Sequence, residues 1–259
     1  MYVVYFFVGL ISTALGAAAG LGGGVIIKPT LDLLGDFNLK SIGALSAITV
    51  FTMAAVSLFG SRKLDVQLQK KQSFTFAIGS IIGGGIGKSL FNSSLKYGPI
   101  NHMIGLVQSA LLIGILIIIL LLMKYRYLYR TYHLKSAGII LIIGLILGGV
   151  SAFLGIGGGP LNIAVLSLLF SMDTKQARLN SIFIIFFSQL AAIILIFTEG
   201  SLVEYDLSML PVMVIGGVAG GFIGNYLSLD WDSRRVELIF NATIILIIAI
   251  NIYNVVQAI

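Results

Sequence analysis

The amino-acid sequence predicts an all-α polytopic membrane protein built from two inverted-topology repeats. The membrane class follows from composition: 58% of the 259 residues are hydrophobic and 10% are charged, against roughly 25% charged residues in ordinary soluble domains. The charged residues fall in short clusters between apolar stretches of about 18 to 25 residues, the length that crosses a bilayer. An internal repeat with opposite charge distribution in its two halves predicts the inverted arrangement.

Ten apolar segments follow one another along the chain, five in each half. Hydropathy places them at residues 3–20, 24–34, 41–60, 73–91 and 101–123, and at 136–154, 159–170, 178–198, 208–227 and 236–257. The second segment of each half is about half as long as a full span, so we expect a half-helix that either spans or re-enters the membrane. The first repeat is assigned to residues 1–123, the second to 136–259, and a basic cytoplasmic linker to 124–135.

The repeat is visible when the chain is compared with itself at an offset of 135 residues. The stretch GLISTALGAAAGLGGGVIIKPTLDLL, from Gly9, then aligns with GLILGGVSAFLGIGGGPLNIAVLSLL, from Gly144. After a two-residue adjustment, a glycine ladder of the first half also aligns with one of the second: Gly79, Gly83 and Gly87 with Gly216, Gly220 and Gly224. The repeat therefore covers nearly the whole chain, and we interpret the ladders as surfaces for close helix packing.

The distribution of lysine and arginine predicts the orientation of the halves, because cytoplasmic loops collect these residues. The loop with Arg62 and Lys63 and the central linker are the two most basic, so both are expected inside. The repeat equivalent of the first loop, TEGSLVEYD, carries Glu199 and Glu204 and no basic residue, so it is expected outside. Equivalent loops on opposite sides require inverted halves in a multi-pass protein of the cell membrane, with both termini external.

A glycine triplet follows the first helix of each half. Three consecutive glycines hold a helix poorly, since each costs about 1 kcal/mol relative to alanine. Broken backbone in a membrane is tolerated only where protein buries it or where it lines a cavity. The N-termini of the short segments that follow would attract anions, and the twofold relation of the repeats should bring both breaks together near the midplane. The alternative is that the glycines only permit close helix packing.

The candidate substrate-binding residues are the glycines of the breaks, one cation and several neutral hydrogen-bonding side chains. They are Gly22, Gly23, Gly24, Lys28, Ser46, Thr49, Gly157, Gly158, Gly159, Asn162, Asn180 and Ser181. Lys28 is either a countercharge for the anion or a side chain that snorkels to the interface. Asp32 and His102 are the candidates for proton coupling. For Arg178, a charge that sets orientation is preferred over a group that guides anions.

The two motifs GLGGGVIIKP and GIGGGPLNIA each follow a hydrophobic helix in a two-half membrane protein of 259 residues. In this the chain resembles the sulfite exporter TauE/SafE family, also called the toluene sulfonate uptake permeases, over its full length. The resemblance implies transport of sulfite, sulfonates or related small organic anions across the cytoplasmic membrane without ATP hydrolysis. One departure is Lys28 with Pro29, where the second copy has Ile163 and Ala164.

The predicted function is secondary transport of a small anion by alternating access, with protons as the candidate coupling ion. No cofactor and no metal are expected. No nucleic-acid partner is expected either, since the net charge of +6 comes from loop residues that set orientation. No enzyme is expected either, because no histidine cluster or paired carboxylates occur within a span. An anion channel and a structural or assembly role are left open, as are the exact substrate, the transport direction and the oligomeric state.

Overall fold

The computed structural model of the chain describes residues 1–61, 68–95, 101–125, 132–198 and 205–258, and its regular secondary structure there is helical. The helices of this part of the chain are α1 Tyr2–Ala19, α2 Gly24–Leu34, α3 Leu39–Gly60, α4 Lys70–Leu95, α5 Asn101–Lys124, α6 Ala137–Leu154, α7 Gly159–Leu169, α8 Thr174–Thr198, α9 Leu210–Leu227 and α10 Ser233–Ala258. All except α2 and α7 are long and apolar enough to cross a membrane. The predicted all-α polytopic class is confirmed.

Helix packing pairs equivalent elements of the two halves. α1 packs on α9 as α6 packs on α4, α2 packs on α10 as α7 packs on α5, and α3 packs on its own counterpart α8. Ala44 and Ala47, near the beginning of α3, share a buried cluster with Ile196 near the end of α8. These two helices are therefore antiparallel, the relation that inverted repeats require. The orientation in the membrane stays a prediction, because the loops around Arg62 and Glu199 lie outside the described residues.

The two glycine ladders bring helix pairs to backbone contact. A Cβ added at Gly83 would collide with the carbonyl oxygen of Leu145 in α6, and one added at Gly220 would collide with that of Leu10 in α1. The other ladder positions are equally close to a facing backbone: Gly79, Gly87, Gly216 and Gly224. Such close approach gains dispersion contacts between helices that lipid tails do not replace. The prediction that the ladders are packing surfaces is confirmed.

Both helices that precede a glycine triplet end at a glycine in the left-handed conformation. α1 stops at Gly20 with φ 76°, and α6 stops at Gly155 with φ 69°. Positive φ angles continue through the first two glycines of each triplet, Gly22, Gly23, Gly157 and Gly158. Since L side chains rarely adopt these angles, glycine is required in both breaks. α2 and α7 then begin at Gly24 and Gly159, the third glycine of each triplet.

The two breaks meet inside the protein. A Cβ added at Gly24 would lie 3.3 Å from the carbonyl oxygen of Ile156, and one added at Gly159 would collide with the carbonyl oxygen of Leu21. Leu21 and Ile156 are repeat equivalents, as are Gly24 and Gly159, so the same contact is made from each half. The breaks come together as the repeat predicts, while their depth in a bilayer stays a prediction.

We predict that Gly83→Ala lowers the midpoint of thermal unfolding of the purified protein in detergent. The added Cβ must push α4 away from α6, and overpacking of this kind costs about 1–3 kcal/mol. Gly114→Ala is the matched control, because it is also within a helix but has nothing within 4 Å of the added Cβ. The control should be neutral or slightly stabilising. Equal midpoints for the two variants would contradict this account of the ladders.

Candidate functional site

A cavity opens beside the two breaks, between α2, α3, α4, α5, α6 and α8. It holds about 1040 Å³ of space between the protein atoms, including the part that opens outward. Gly24, at the N-terminus of α2, forms part of its wall, as do Gly155 and Gly157 of the second break. A cavity therefore lies beside the breaks, where the sequence predicts the binding site.

Three lysines contribute to the wall of this cavity, and no carboxylate does so among the described residues. Lys28 comes from α2, Lys40 from the beginning of α3 and Lys88 from the last third of α4. Lys28 is 7% exposed, and the Nζ atom of Lys88 is buried. Positive charges gathered between low-dielectric walls focus the electric field and raise the local concentration of anions.

Lys28 is held by the end of the broken helix of the other half. Its Nζ donates hydrogen bonds to the carbonyl oxygen of Leu154, at 2.7 Å, and to Oε1 of Gln108, at 2.6 Å. The amide nitrogen of Gln108 in turn donates to the carbonyl oxygen of Phe153. The last carbonyls of a helix have no partner within the helix and carry negative partial charge. Lys28 therefore points into the protein and neutralises the C-terminus of α6.

A second buried cation neutralises the C-terminus of α1. Nε of Arg178 donates to the carbonyl oxygen of Ala17, at 2.7 Å, and its Nη2 donates to Oδ1 of Asn225 in α9, at 3.0 Å. The side chain is 0% exposed. The sequence interpretation of Arg178 as a charge that only sets orientation missed these contacts. Each broken helix thus has its last carbonyls paired with a cation from the opposite half of the chain.

Four of the sequence-predicted binding residues line the cavity: Gly24, Lys28, Ser46 and Gly157. The other glycines of the breaks, Gly22, Gly23, Gly158 and Gly159, contact protein atoms instead, for example Ile185 beside Gly22. These four glycines shape the breaks and are not among the residues that line the cavity.

The remaining predicted side chains are buried among helices. Ser73 donates to Oδ1 of Asn180 at 2.6 Å, and Ser181 donates to the carbonyl oxygen of Gly20 at 2.8 Å. Thr49 and Asn162 are buried as well, and neither is among the described residues of the cavity wall. These contacts correspond to bonding between helices.

The two coupling candidates are placed differently. Asp32 lies on α2, one helical turn after Lys28, and is partly exposed. His102 falls in the first turn of α5, and its side chain lies outside the described residues.

Several polar residues of the cavity wall were missed by the sequence analysis, above all Lys88, Gln108, Ser151 and Gln189. Ser151 is 5% exposed, and its Oγ has no hydrogen-bond partner among the described residues. Buried hydroxyls are nearly always paired, so this one is available to a ligand or to water. A signal did exist for Lys88, because an ionisable residue within an apolar segment is a functional candidate.

The similarity of this chain to known proteins extends over nearly its whole length. The family model described as Sulfite exporter TauE/SafE matches residues 5–252, which include both breaks and the whole cavity wall. The chain belongs to this family. It is 26% identical to the probable membrane transporter protein YunE of Bacillus subtilis, over 95% of each chain. It is also 26% identical to the probable membrane transporter protein YjnA of the same organism, over 95% of this chain and 98% of the relative.

A probable membrane transporter protein of Methanocaldococcus jannaschii is 25% identical, over 80% of this chain and 78% of the relative. No solved structure matches the chain. The family and these relatives establish the TauE/SafE protein as a multi-pass membrane transporter.

We predict that the cavity of this TauE/SafE protein distinguishes thiol reagents by charge. The natural chain has no cysteine, so Ala192→Cys places a single thiol in the cavity wall. The measured quantity is the rate of thiol modification by an anionic methanethiosulfonate divided by the rate with a cationic one. We expect this ratio to be roughly tenfold higher at Ala192→Cys than at the exposed control Ser208→Cys, because the lysines concentrate anions. A lower ratio in the cavity than at Ser208→Cys would contradict the positive field.

Proposed function

We propose that this protein is a secondary transporter of a small anion, which binds in the cavity beside the two helix breaks. The observation that carries the proposal is the wall of the cavity, to which Lys28, Lys40 and Lys88 contribute and no described carboxylate does. Charged side chains within membrane segments are costly and usually mark the path of a substrate or an ion. The family and the relatives support transport, and the charge of the wall supports an anionic substrate.

The wall suits an anion that has an apolar part. An oxyanion accepts hydrogen bonds from ammonium and hydroxyl groups, and Lys28, Lys88 and Ser151 supply them. Much of the remaining surface is apolar, with Val50, Phe91, Phe153 and Leu195 among its residues. Burying an apolar substituent against such a surface is favourable. These features favour a small organic sulfonate over sulfite as the substrate.

Alternating access is the proposed mode of transport. The cavity lies between the beginning of α3 and the last parts of α4 and α8. At the opposite ends of α3 and α8, Ser61 and Arg178 both hydrogen-bond to Asn225 of α9, so the helices are held together there. An opening at one end and close packing at the other suit a carrier that rocks around a central site. Asp32, one turn from Lys28, is our candidate for proton coupling.

Flux of radiolabelled sulfite and of a small alkanesulfonate into proteoliposomes, with and without a pH gradient, tests the function. The proposal expects saturable flux, faster for the sulfonate and accelerated by a pH gradient of one sign. Flux that does not saturate would favour an anion channel. The absence of flux of either anion with correctly inserted protein would contradict the proposal.

We predict that Lys88→Gln raises the half-saturating concentration of the transported anion about tenfold, because one hydrogen bond from a charged donor to the anion is lost. Lys71→Gln is the matched control: it removes the same charge from the exposed beginning of the same helix. The two variants are to be compared in the flux assay at equal amounts of inserted protein. If both have the half-saturating concentration of the natural protein, Lys88 does not bind the anion.

A further inference from the structure

The cavity has a filled counterpart at the opposite end of the bundle. In the register that aligns the two glycine triplets, Gly43 of the cavity wall corresponds to Arg178, and the register of the glycine ladders aligns Lys88 with Asn225. Nothing lies within 4 Å of a Cβ added at Gly43, whereas Arg178 is 0% exposed. Where one half of the chain leaves open space, the other half places a guanidinium.

This guanidinium joins three helices, and its acceptor Asn225 links them to a fourth. Arg178 of α8 bonds to Ala17 of α1 and to Asn225 of α9, and Oδ1 of Asn225 also accepts a hydrogen bond from Oγ of Ser61 at the end of α3, at 3.0 Å. The repeat counterparts of α8, α1, α9 and α3 are α3, α6, α4 and α8. These counterparts all border the cavity. Arg178 and Asn225 therefore join the helices that would border an equivalent cavity at the opposite end.

A partly exposed residue of the cavity wall has a buried repeat equivalent at the other end. Ala192 of α8 lines the cavity, and its repeat equivalent is Ser57 of α3. Ser57 is 0% exposed. An anion that leaves the central site toward this end must therefore separate α3 and α8 from α1 and α9. The contacts of Arg178 hold α8 to α1 and α9, and the bond from Ser61 to Asn225 holds α3 to α9.

We propose that Arg178 is the latch that closes the transport path at the end of the bundle opposite the cavity. The inference rests on the proposed transport function. When the path opens at this end, the contacts of Arg178 break and its guanidinium lines the new opening, as Lys88 lines the present one. Its Nη1 already has no hydrogen-bond partner among the described residues. Because a guanidinium keeps its charge, the anion meets a cation at both ends of its path.

The latch is tested by cysteine accessibility in lipid nanodiscs, where both faces of the protein are open to reagent. Ser57→Cys and Ala192→Cys occupy repeat-equivalent positions on α3 and α8. With Arg178 present, a membrane-impermeant maleimide should label Ala192→Cys and leave Ser57→Cys protected. With Arg178→Gln added, labelling of Ser57→Cys should become roughly tenfold faster, because the closed arrangement loses hydrogen bonds from a charged donor.

Arg234→Gln is the matched control, since it removes an exposed arginine at the beginning of α10 and should leave Ser57→Cys protected. Asn225→Ala removes the acceptor of Nη2 and should accelerate labelling as Arg178→Gln does, which keeps the test informative if Arg178→Gln fails to insert. Unchanged labelling of Ser57→Cys in the latch variants would overturn the latch. The labelling assay needs no substrate. Accelerated labelling together with no flux in proteoliposomes would therefore contradict the proposed transport and still support the latch.

Discussion

The last carbonyls of two broken helices set the main constraint on this fold. Each glycine break ends a helix inside the protein, where these oxygens lack both a partner within the helix and bulk water. Lys28 pairs with the end of α6 and Arg178 with the end of α1. A hydrogen bond to a charged group contributes about 1.5–3 kcal/mol. Because each cation comes from the opposite half, the repeats are tied together at both breaks, by Lys28 beside the cavity and by Arg178 away from it.

The two cations meet the same demand from different positions in the repeat. Lys28 corresponds to Ile163 and Arg178 corresponds to Gly43, so neither has a charged equivalent. Lys28 carries a compact ammonium beside open space, while Arg178 carries a planar guanidinium that bonds to two helices. The matched helix arrangements have unlike ends, one with a cavity and one where Arg178 joins the helices. The proposed alternating access requires such asymmetry, because a carrier is open to one side at a time.

Helices and breaks were predictable from the sequence because hydropathy and glycine act locally. The segments predicted at 24–34 and 159–170 agree with α2 and α7 to within one residue. Side-chain roles were harder, because neighbouring positions on one helix face different partners: Ser46 lines the cavity, while Thr49 lies beside Gly217. Gln108 reaches Lys28 across 80 residues of sequence, a contact that only tertiary packing creates.

The central claim is that an anion occupies the cavity beside Lys28 and Lys88. Crystals of the natural protein grown with 2-bromoethanesulfonate, with diffraction measured at the bromine absorption edge, test it most directly, because anomalous scattering locates the bromine without reference to the binding hypothesis. The account predicts an anomalous peak within the cavity, with the sulfonate directed toward the lysines. Anomalous peaks found only outside the cavity, at a concentration that saturates transport, would contradict it.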